Sequence, residues 1–316
     1  MFFRKSNSYN LINRMMKLRR VLFLLRVNLK YVYNKWFYKS LNYSPNTVSC
    51  VVFSRDRAMQ LDALLRSIEM HSESLYDIYI QYSCSPNHCK SYDELINRYR
   101  NNKNLRFVRE DSFSVSLIDV LKAINTQFLF FLVDDQVFVR PFNMNQIVSN
   151  MRKNTFFSLR LGKSITDFGI FERKLMPKYK ELHDYLEWKW KKNKNQKDWG
   201  YQFSVDGTVY RTLDVLRASL SIPFKAPNSY EDNMNSVWLF RGNNIGMSYH
   251  EPVVINLIIN ASRQEKEYDH FESGEYSTDD MLELWNSGIR FSLDKVSSLS
   301  FSSTHYVVKD INCILE

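Results

Sequence analysis

An apolar run that stops at two adjacent carboxylates constrains the fold of this chain most. Phe128 to Val133 are all apolar, and Asp134 and Asp135 follow directly. A short apolar run bounded in this way predicts a fully buried strand of a parallel sheet. Residues just past the carboxyl end of such a strand lie where open α/β sheets bind ligands. Two acids there indicate a metal and a phosphate-bearing substrate, although an Asp pair is also typical of a plain turn.

Strand-like and helix-like segments alternate before this run. Strands are predicted over 47–53, 75–82 and 105–109, each followed by a segment with helical spacing of its apolar residues. Strands that alternate with helices predict a parallel sheet with right-handed crossovers. After Pro141 the alternation weakens, which indicates a change from a first half, 46–142, to a second half, 143–316, of one domain.

Five short motifs follow one another between residues 51 and 231. They cover 51–57 with Leu61 and Ser67, 132–136, 157–162, 198–207 and 227–231. Their order and spacing resemble the GT-A class of nucleotide-sugar glycosyltransferases, family-2-like, of the kind found in bacterial surface-polysaccharide synthesis. The resemblance runs from about Thr47 to Ile289. It implies a Rossmann-like, mostly parallel central sheet flanked by helices.

The resemblance also implies an activity and a set of site residues. The expected reaction moves a sugar from a nucleotide-sugar donor to a hydroxyl of a glycan or lipid-linked saccharide acceptor, assisted by Mn²⁺ or Mg²⁺. The expected donor-binding residues are Ser54, Arg55, Asp56 and Asp134, the metal ligands are Asp134, Asp135 and His305, and the catalytic acids are Glu231 and Asp206.

Gln136 departs from the pattern of the class. Such enzymes carry Asp-x-Asp, whose last acid commonly binds the divalent cation, and here that place falls on Gln136. A neutral amide oxygen supplies no charge to balance a hard cation. Either Asp134 and Asp135 take the role in shifted register, with Asp135 preferred, or metal binding is weaker than usual.

Glu231 and Asp206 each occupy a place where an acid can act. Gly207 permits a tight turn that would hold Asp206 beside an acceptor hydroxyl. Glu231 lies in the first turn of a predicted helix capped by Ser229 or Asn228, where an acid also simply complements the helix dipole. The resemblance favours Glu231 as the general base.

The first 45 residues hold the excess positive charge and form a predicted basic amphipathic helical segment. Ten of the 43 Lys and Arg residues lie there without any acid, so the remaining 33 nearly balance the 34 acids. This balance disfavours nucleic-acid binding, which needs a broad basic surface. An apolar stripe at spacings of three and four predicts one helix face, formed by Leu11, Met15, Leu18, Leu22, Leu25, Leu29, Val32 and Trp36.

Three arrangements of this helix are open: a coiled coil, packing on the protein's own domain, or attachment to an anionic membrane surface. Its apolar runs are too short to span a bilayer. The four cysteines form no zinc-type spacing and are predicted to be reduced thiols of a cytoplasmic protein, peripheral at the inner face of the membrane. Two other functions compete: a non-catalytic GT-A scaffold at the membrane and, less favoured, a membrane-associated nucleic-acid binder.

Overall fold

The structure, a computed structural model, describes residues 3–39, 41–74, 76–168, 171–260 and 276–316, with the side chains of 3–12, 168 and 171–174 left aside. The helices are α1 Phe3–Phe37, α2 Ala58–His71, α3 Cys89–Tyr99, α4 Phe113–Ala123, α5 Met144–Asn150, α6 Thr212–Ser219, α7 Pro227–Met234, α8 Trp238–Arg241, α9 Thr278–Asn286 and α10 Leu293–Ser297. The strands are β1 Ser44–Arg55, β2 Asp77–Ser83, β3 Leu105–Arg109, β4 Thr126–Val133, β5 Gln136–Phe138, β6 Thr155–Ser158, β7 Asp167–Phe168, β8 Phe171–Lys174, β9 Lys180–Glu181, β10 Leu186–Lys189, β11 Thr208–Arg211, β12 Ile245–Ser248, β13 Val254–Ile258 and β14 His305–Val307.

A central sheet runs through the protein in the order β3-β2-β1-β4-β11-β6-β12-β10-β9. The first four strands are parallel neighbours, whereas β11 is antiparallel to both β4 and β6. The predicted α/β class, with a parallel sheet in its first half, is confirmed. A second, three-stranded sheet of order β14-β13-β5 lies beside it and joins the end of β4 to the carboxy-terminal part of the chain.

Helices cover both faces of the sheet because its strands are apolar on both sides. In β1 all residues from Val48 to Ser54 are buried. Cys50 and Val52 pack with α2 in one core, and Val51 and Phe53 pack with α4 in the other. The predicted strands at the start of the chain and the helices between them are confirmed, with ends that differ by a few residues.

The tryptophans of the lysine-rich stretch belong to the core. Trp188, Trp190 and Trp199 are at most 2% exposed, and Trp188 packs edge to face against both of the others. The alternation of tryptophan and lysine in this stretch is also typical of side chains that stack on bases or sugars, but the burial of the three rings excludes that role for them. Gly246 makes the packing possible, since a Cβ there would lie 2.2 Å from the Trp188 ring.

Two of the cysteines differ from the expected reduced state. Cys84 and Cys89 form a disulfide that links the end of β2 to the first residue of α3, with a Cα separation of 5.2 Å. Cys50 is a buried free thiol and Cys313 an exposed one. The prediction of four reduced thiols fails for the first pair because a loop brings residues five positions apart into contact, which cysteine spacing alone does not reveal.

The amino-terminal helix contacts the domain through a face that the stripe does not include. Val27, Asn28, Tyr31 and Asn34 are buried, and the Asn34 amide donates to the Ser221 hydroxyl at 2.9 Å. The stripe from Met15 to Trp36 stays 49% to 67% exposed, and Leu11 lies outside the described side chains. The helix thus packs on its own domain, as one alternative predicts, but leaves its apolar stripe outside. In the described ranges, no helix has the length and hydropathy needed to cross a bilayer.

Candidate active site

The site begins where two neighbouring parallel strands end. β1 pairs with β4 up to Phe53 and Val133, so the residues that follow lie side by side. The backbone N–H of Arg55 donates to Asp134 Oδ2 at 3.0 Å. The Ser54 hydroxyl shares a 2.6 Å hydrogen bond with the Tyr92 hydroxyl. The sheet therefore brings the predicted donor-binding residues Ser54 and Arg55 next to Asp134.

Asp56 turns the chain sharply after β1. Its φ of 55° lies in the left-handed region, which Asp tolerates better than most residues because of its short polar side chain. Asp56 Oδ1 accepts a 2.6 Å hydrogen bond from the backbone N–H of Ser85. The Asp56 carboxylate thereby ties the loop after β1 to the loop after β2, which contains the Cys84–Cys89 disulfide.

Arg57 supplies a fixed positive charge beside the two adjacent acids. Its Nη1 lies 3.1 Å from Asp134 Oδ1 and 3.5 Å from Asp135 Oδ2, and its side chain is 9% exposed. Its other terminal nitrogen donates to the carbonyl of Asn260. A buried carboxylate pair needs such a partner, because desolvation strongly penalises uncompensated charge.

Gln136 has a structural role that explains its place in the motif. Its side-chain oxygen accepts from the Val133 N–H at 3.0 Å, and its side-chain nitrogen donates to Asn256 Oδ1 at 3.1 Å. Asn256 in turn donates to Asp135 Oδ1 at 3.3 Å. The fully buried amide of Gln136 therefore orients Asp135 through Asn256.

Asp135 is the more accessible of the two acids, with 21% of its side chain exposed against 6% for Asp134. Burial raises the pKa of Asp135 to about 7; Arg57 opposes this rise, while the charges of Asp134 and Asp206 add to it. Asp135 therefore changes charge near neutral pH and interacts with an acid from another part of the chain.

A glycine turn delivers Asp206 to the same region. Gly207 has a φ of +68°, its N–H donates to the Phe131 carbonyl at 2.8 Å, and a Cβ there would lie 3.0 Å from Val254. The predicted tight turn is confirmed, and it precedes β11. No strand ends at Asp206, since 201–204 have no regular structure and bends follow up to Gly207.

Arg160 joins Asp206 to a second acid. Its two terminal nitrogens lie 3.1 Å from Asp206 Oδ2 and 3.1 Å from Asp198 Oδ1, and its side chain is 4% exposed. The Thr304 hydroxyl donates to Asp198 Oδ2 at 2.8 Å and lies 3.0 Å from His305 Nδ1. Burial lowers the pKa of His305, which favours its neutral form.

Glu231 faces this cluster from the first turns of α7. Its Oε1 accepts from the Val205 N–H at 3.1 Å. Burial raises the pKa of Glu231 to about 8, and the neighbouring Asp206 charge adds to the rise while Arg160 opposes it. The predicted caps of this helix are wrong: α7 begins at Pro227, and Ser229 accepts from the Ala226 N–H from inside the first turn.

The fold thus gathers Asp134, Asp135, Asp206 and Glu231 into one interacting set of acids. His305 lies beside them on β14, in register with Asn256 on β13 and, across that strand, with Gln136 on β5. Sequence reasoning assigned no role to the residues that connect the set: Arg57, Arg160, Asp198 and Asn256. Arg160 and Asn256 each interrupt an apolar run, and a polar residue in a buried strand requires a partner.

The predicted metal ligands do not form a complete protein cage. Among the described residues, no group of three or more His, Cys, Asp or Glu side chains has the arrangement to hold a metal ion. Both oxygens of Asp134 accept hydrogen bonds from the protein. Mg²⁺ commonly binds through one or two carboxylates together with substrate phosphates, and the partly exposed Asp135 fits that manner of binding.

Comparison with known proteins gives a relative of defined class. Over 195 residues, the chain is 25% identical to the bifunctional glycosyltransferase pgtA of Dictyostelium discoideum. The matched region covers 55% of this chain and 25% of the relative. Its sequence is thus related to that of a glycosyltransferase. The predicted resemblance is confirmed at this level, although the chain spans only about a quarter of the relative's length. No protein-family profile matches.

Solved structures are similar only distantly. TarS of S. aureus in complex with UDP-GlcNAc has a TM-score of 0.45 and 15% identity, over 79% of this chain and 66% of that one. A mannosyltransferase of Pyrobaculum calidifontis in complex with GDP-Man and Mn²⁺ has a TM-score of 0.30 and 12% identity, over 48% and 46% of the two chains.

Proposed function

We propose that this protein transfers a sugar from a nucleotide-sugar donor to a hydroxyl of a glycan or lipid-linked saccharide acceptor. The observation that carries the proposal is the set of acids Asp135, Asp206 and Glu231, brought from three parts of the chain to the carboxyl edge of the parallel strands. Two of them have pKa values raised to about 7 and about 8. Perturbed acids gathered in this way are typical of catalytic sites.

The two halves of the chain contribute different parts of this proposed site. Residues 46–142 would hold the donor, with Ser54, Arg55, Asp56 and Asp134 at the strand ends where nucleotides bind in open α/β sheets. Residues 143–316 would hold the acceptor against Asp206 and Glu231. The sequence relationship to a glycosyltransferase supports the same reading.

In the proposed reaction, the acceptor hydroxyl attacks the anomeric carbon of the donor sugar. The bond from that carbon to the diphosphate oxygen breaks, and the nucleoside diphosphate leaves with the bonding electrons. Glu231 takes the hydroxyl proton, which a carboxylate can do only in its charged form. Arg160 holds Asp206 in place beside Glu231 through its 3.1 Å ion pair. The result is inversion at the anomeric carbon.

A divalent cation, Mn²⁺ or Mg²⁺, would bind between Asp135 and the donor diphosphate. Such a cation neutralises negative charge that develops on a departing diphosphate. Asp134 is less exposed than Asp135, and its two oxygens accept hydrogen bonds from the Arg57 side chain and the Arg55 backbone N–H. His305 remains a candidate third ligand, since its lowered pKa keeps the imidazole neutral, the form that metals bind.

A thermal-shift screen tests the function directly. UDP- and GDP-sugars, each with and without Mn²⁺, are added to the full chain, and the melting temperature is measured. A ligand that binds only the folded state raises this temperature, so at least one nucleotide sugar should raise it, and the corresponding transfer product should be detected by mass spectrometry. The competing scaffold reading, which the structural use of Gln136 favours, predicts no shift with any nucleotide sugar.

The cation site is tested by the conservative change Asp135→Asn. The variant keeps the shape of the side chain and its contact with Asn256 but removes the charge, so Mn²⁺ should no longer strengthen UDP binding measured by calorimetry. Asp119→Asn is the matched control, because Asp119 is a surface acid of α4 with a 70% exposed side chain. Unchanged Mn²⁺ dependence in Asp135→Asn contradicts the metal assignment.

A further inference from the structure

The exposed stripe of α1 points away from the rest of the protein. At about 100° per residue, Leu18, Leu22 and Leu25 lie roughly opposite the buried Val27 and Tyr31. Every residue from 14 to 22 is exposed. The contacts of α1 with the domain therefore leave the stripe uncovered, and a row of large apolar side chains in solvent marks an interaction surface.

Positive charge borders the stripe on both sides. By the same helical angle, Arg19, Arg26 and Lys30 lie along one edge, and Lys17 and Lys35 lie along the other. The first 45 residues contain no acid that could pair with these cations. Exposed aromatic residues lie at the carboxyl end of the helix: Tyr33, Trp36 and Phe37. An apolar stripe with basic edges and aromatic side chains is the composition of a helix that lies in a membrane interface.

A cavity opens where one basic edge of α1 meets the domain. It has a volume of about 210 Å³. Arg26 and Lys30, one helical turn apart, line it together with apolar atoms of Phe23 and Val27 and with the 221–223 segment that follows α6. Two cations beside an apolar wall match the chemistry of a phosphodiester joined to acyl chains.

We propose that the exposed face of α1 docks on an anionic lipid bilayer and that the Arg26/Lys30 cavity takes the phosphate of one lipid headgroup. The stripe enters the boundary between headgroups and acyl chains, and the basic edges meet the anionic headgroups. A second copy of the chain is the other possible occupant of the stripe. It is disfavoured because paired helices would bring cations against cations along both edges.

Vesicle binding of the full chain tests the docking face. The full chain should sediment with mixed phosphatidylcholine–phosphatidylglycerol vesicles, far less with phosphatidylcholine vesicles, and less at high salt. Leu22→Glu should lower binding at least about tenfold, since it sets a charge in the stripe. Met16→Glu is the matched control: Met16 is 55% and Leu22 56% exposed, the charge change is equal, and Met16 lies outside the stripe. Equal losses in the two variants overturn the docking face.

The cavity is tested by removing equal charge at two places. Arg26→Ala/Lys30→Ala and Lys17→Ala/Arg19→Ala each delete two cations, which near an anionic surface is a loss of up to about 30-fold. If the cavity holds a headgroup phosphate, the first double variant loses clearly more vesicle affinity than the second. Equal losses overturn the headgroup site and leave general electrostatic attraction as the cause.

Light scattering without vesicles decides between lipid and a second copy. The wild-type chain should be a monomer, and Leu22→Glu should leave that state unchanged. A dimer that Leu22→Glu converts to a monomer, with vesicle binding unaffected, overturns the proposal. Circular dichroism should show the same helix content in every variant, because each substitution lies on the exposed part of α1.

Discussion

Glu231→Gln is expected to slow sugar transfer at least about 100-fold while donor binding stays near that of the wild type. The glutamine keeps an oxygen to accept the 3.1 Å hydrogen bond from the Val205 N–H, so the loop before β11 stays in place. It removes the group that would accept the proton of the acceptor hydroxyl. Initial rates with a saturating donor, and donor affinity by calorimetry, separate the two effects.

Asp232→Asn is the neighbouring control. Asp232 is exposed and interacts with the Tyr201 hydroxyl at 3.4 Å, so its replacement should leave the rate nearly unchanged. If Glu231→Gln keeps normal turnover, the base is elsewhere, with Asp206 or Asp232 next, or the enzyme retains configuration.

The pH dependence of the wild-type transfer rate is a second test of Glu231 as the general base. Because the pKa of Glu231 is raised to about 8, most of this side chain is protonated at pH 7 and the active base form increases as pH rises. The transfer rate should therefore climb between about pH 6 and pH 9 and then level off. A transfer rate that falls between pH 6 and pH 9 contradicts the assignment of Glu231 as the general base.

Arg160→Met is expected to lower the free energy of unfolding by about 3 kcal/mol. The change removes the buried cation that Asp198 and Asp206 share, so both acids lose their ion pair with Arg160, and Asp206 keeps its charge interaction with the nearby Glu231. Methionine fills similar space, so packing contributes little to the loss. Urea unfolding followed by tryptophan fluorescence measures the effect. The loss should shrink at low pH, where the abandoned acids become protonated and no longer repel one another.

Arg152→Met is the matched control for this experiment. Arg152 pairs with Glu187 at 2.7 Å, but its side chain is 72% exposed. An exposed ion pair contributes at most about 1 kcal/mol, so the variant should unfold close to the wild-type midpoint. Equal destabilisation in both arginine variants would mean that the buried ion pairs of Arg160 contribute no more to the free energy of unfolding than the exposed pair of Arg152.

Local patterns in the sequence predict the first half of the fold well. The strand over 105–109 is recovered at those positions, because apolar spacing and turn residues act over neighbouring positions. The acid pair that follows β4 is recovered for the same reason. The alternation of strands and helices also predicts that β1 and β4 run parallel. If they are neighbours in the sheet, as the structure shows, the residues after their carboxyl ends, Arg55 and Asp134, lie side by side.

The connecting residues of the site are beyond such reasoning because their partners are distant in sequence. Arg160 contacts Asp198 and Asp206, 38 and 46 positions away; its place in an apolar run indicates burial, but no local pattern identifies these two partners. The burial of Trp190 in the lysine-rich stretch likewise depends on a fold that only the whole chain determines. The apolar stripe of α1 does not predict whether it faces the domain or the solvent, since the pattern of an apolar face does not show what covers it.

The asparagine contacts of α1 have a mechanical consequence. The Asn28 amide donates to the Ser236 carbonyl, and its oxygen accepts from the Trp238 N–H, so the helix is clamped to the short link between α7 and α8. Glu231 lies on α7, only five residues before Ser236. A surface that binds α1 would therefore also fix the distance and the orientation of Glu231 relative to that surface. A flexible linker in place of these contacts would leave both free to vary.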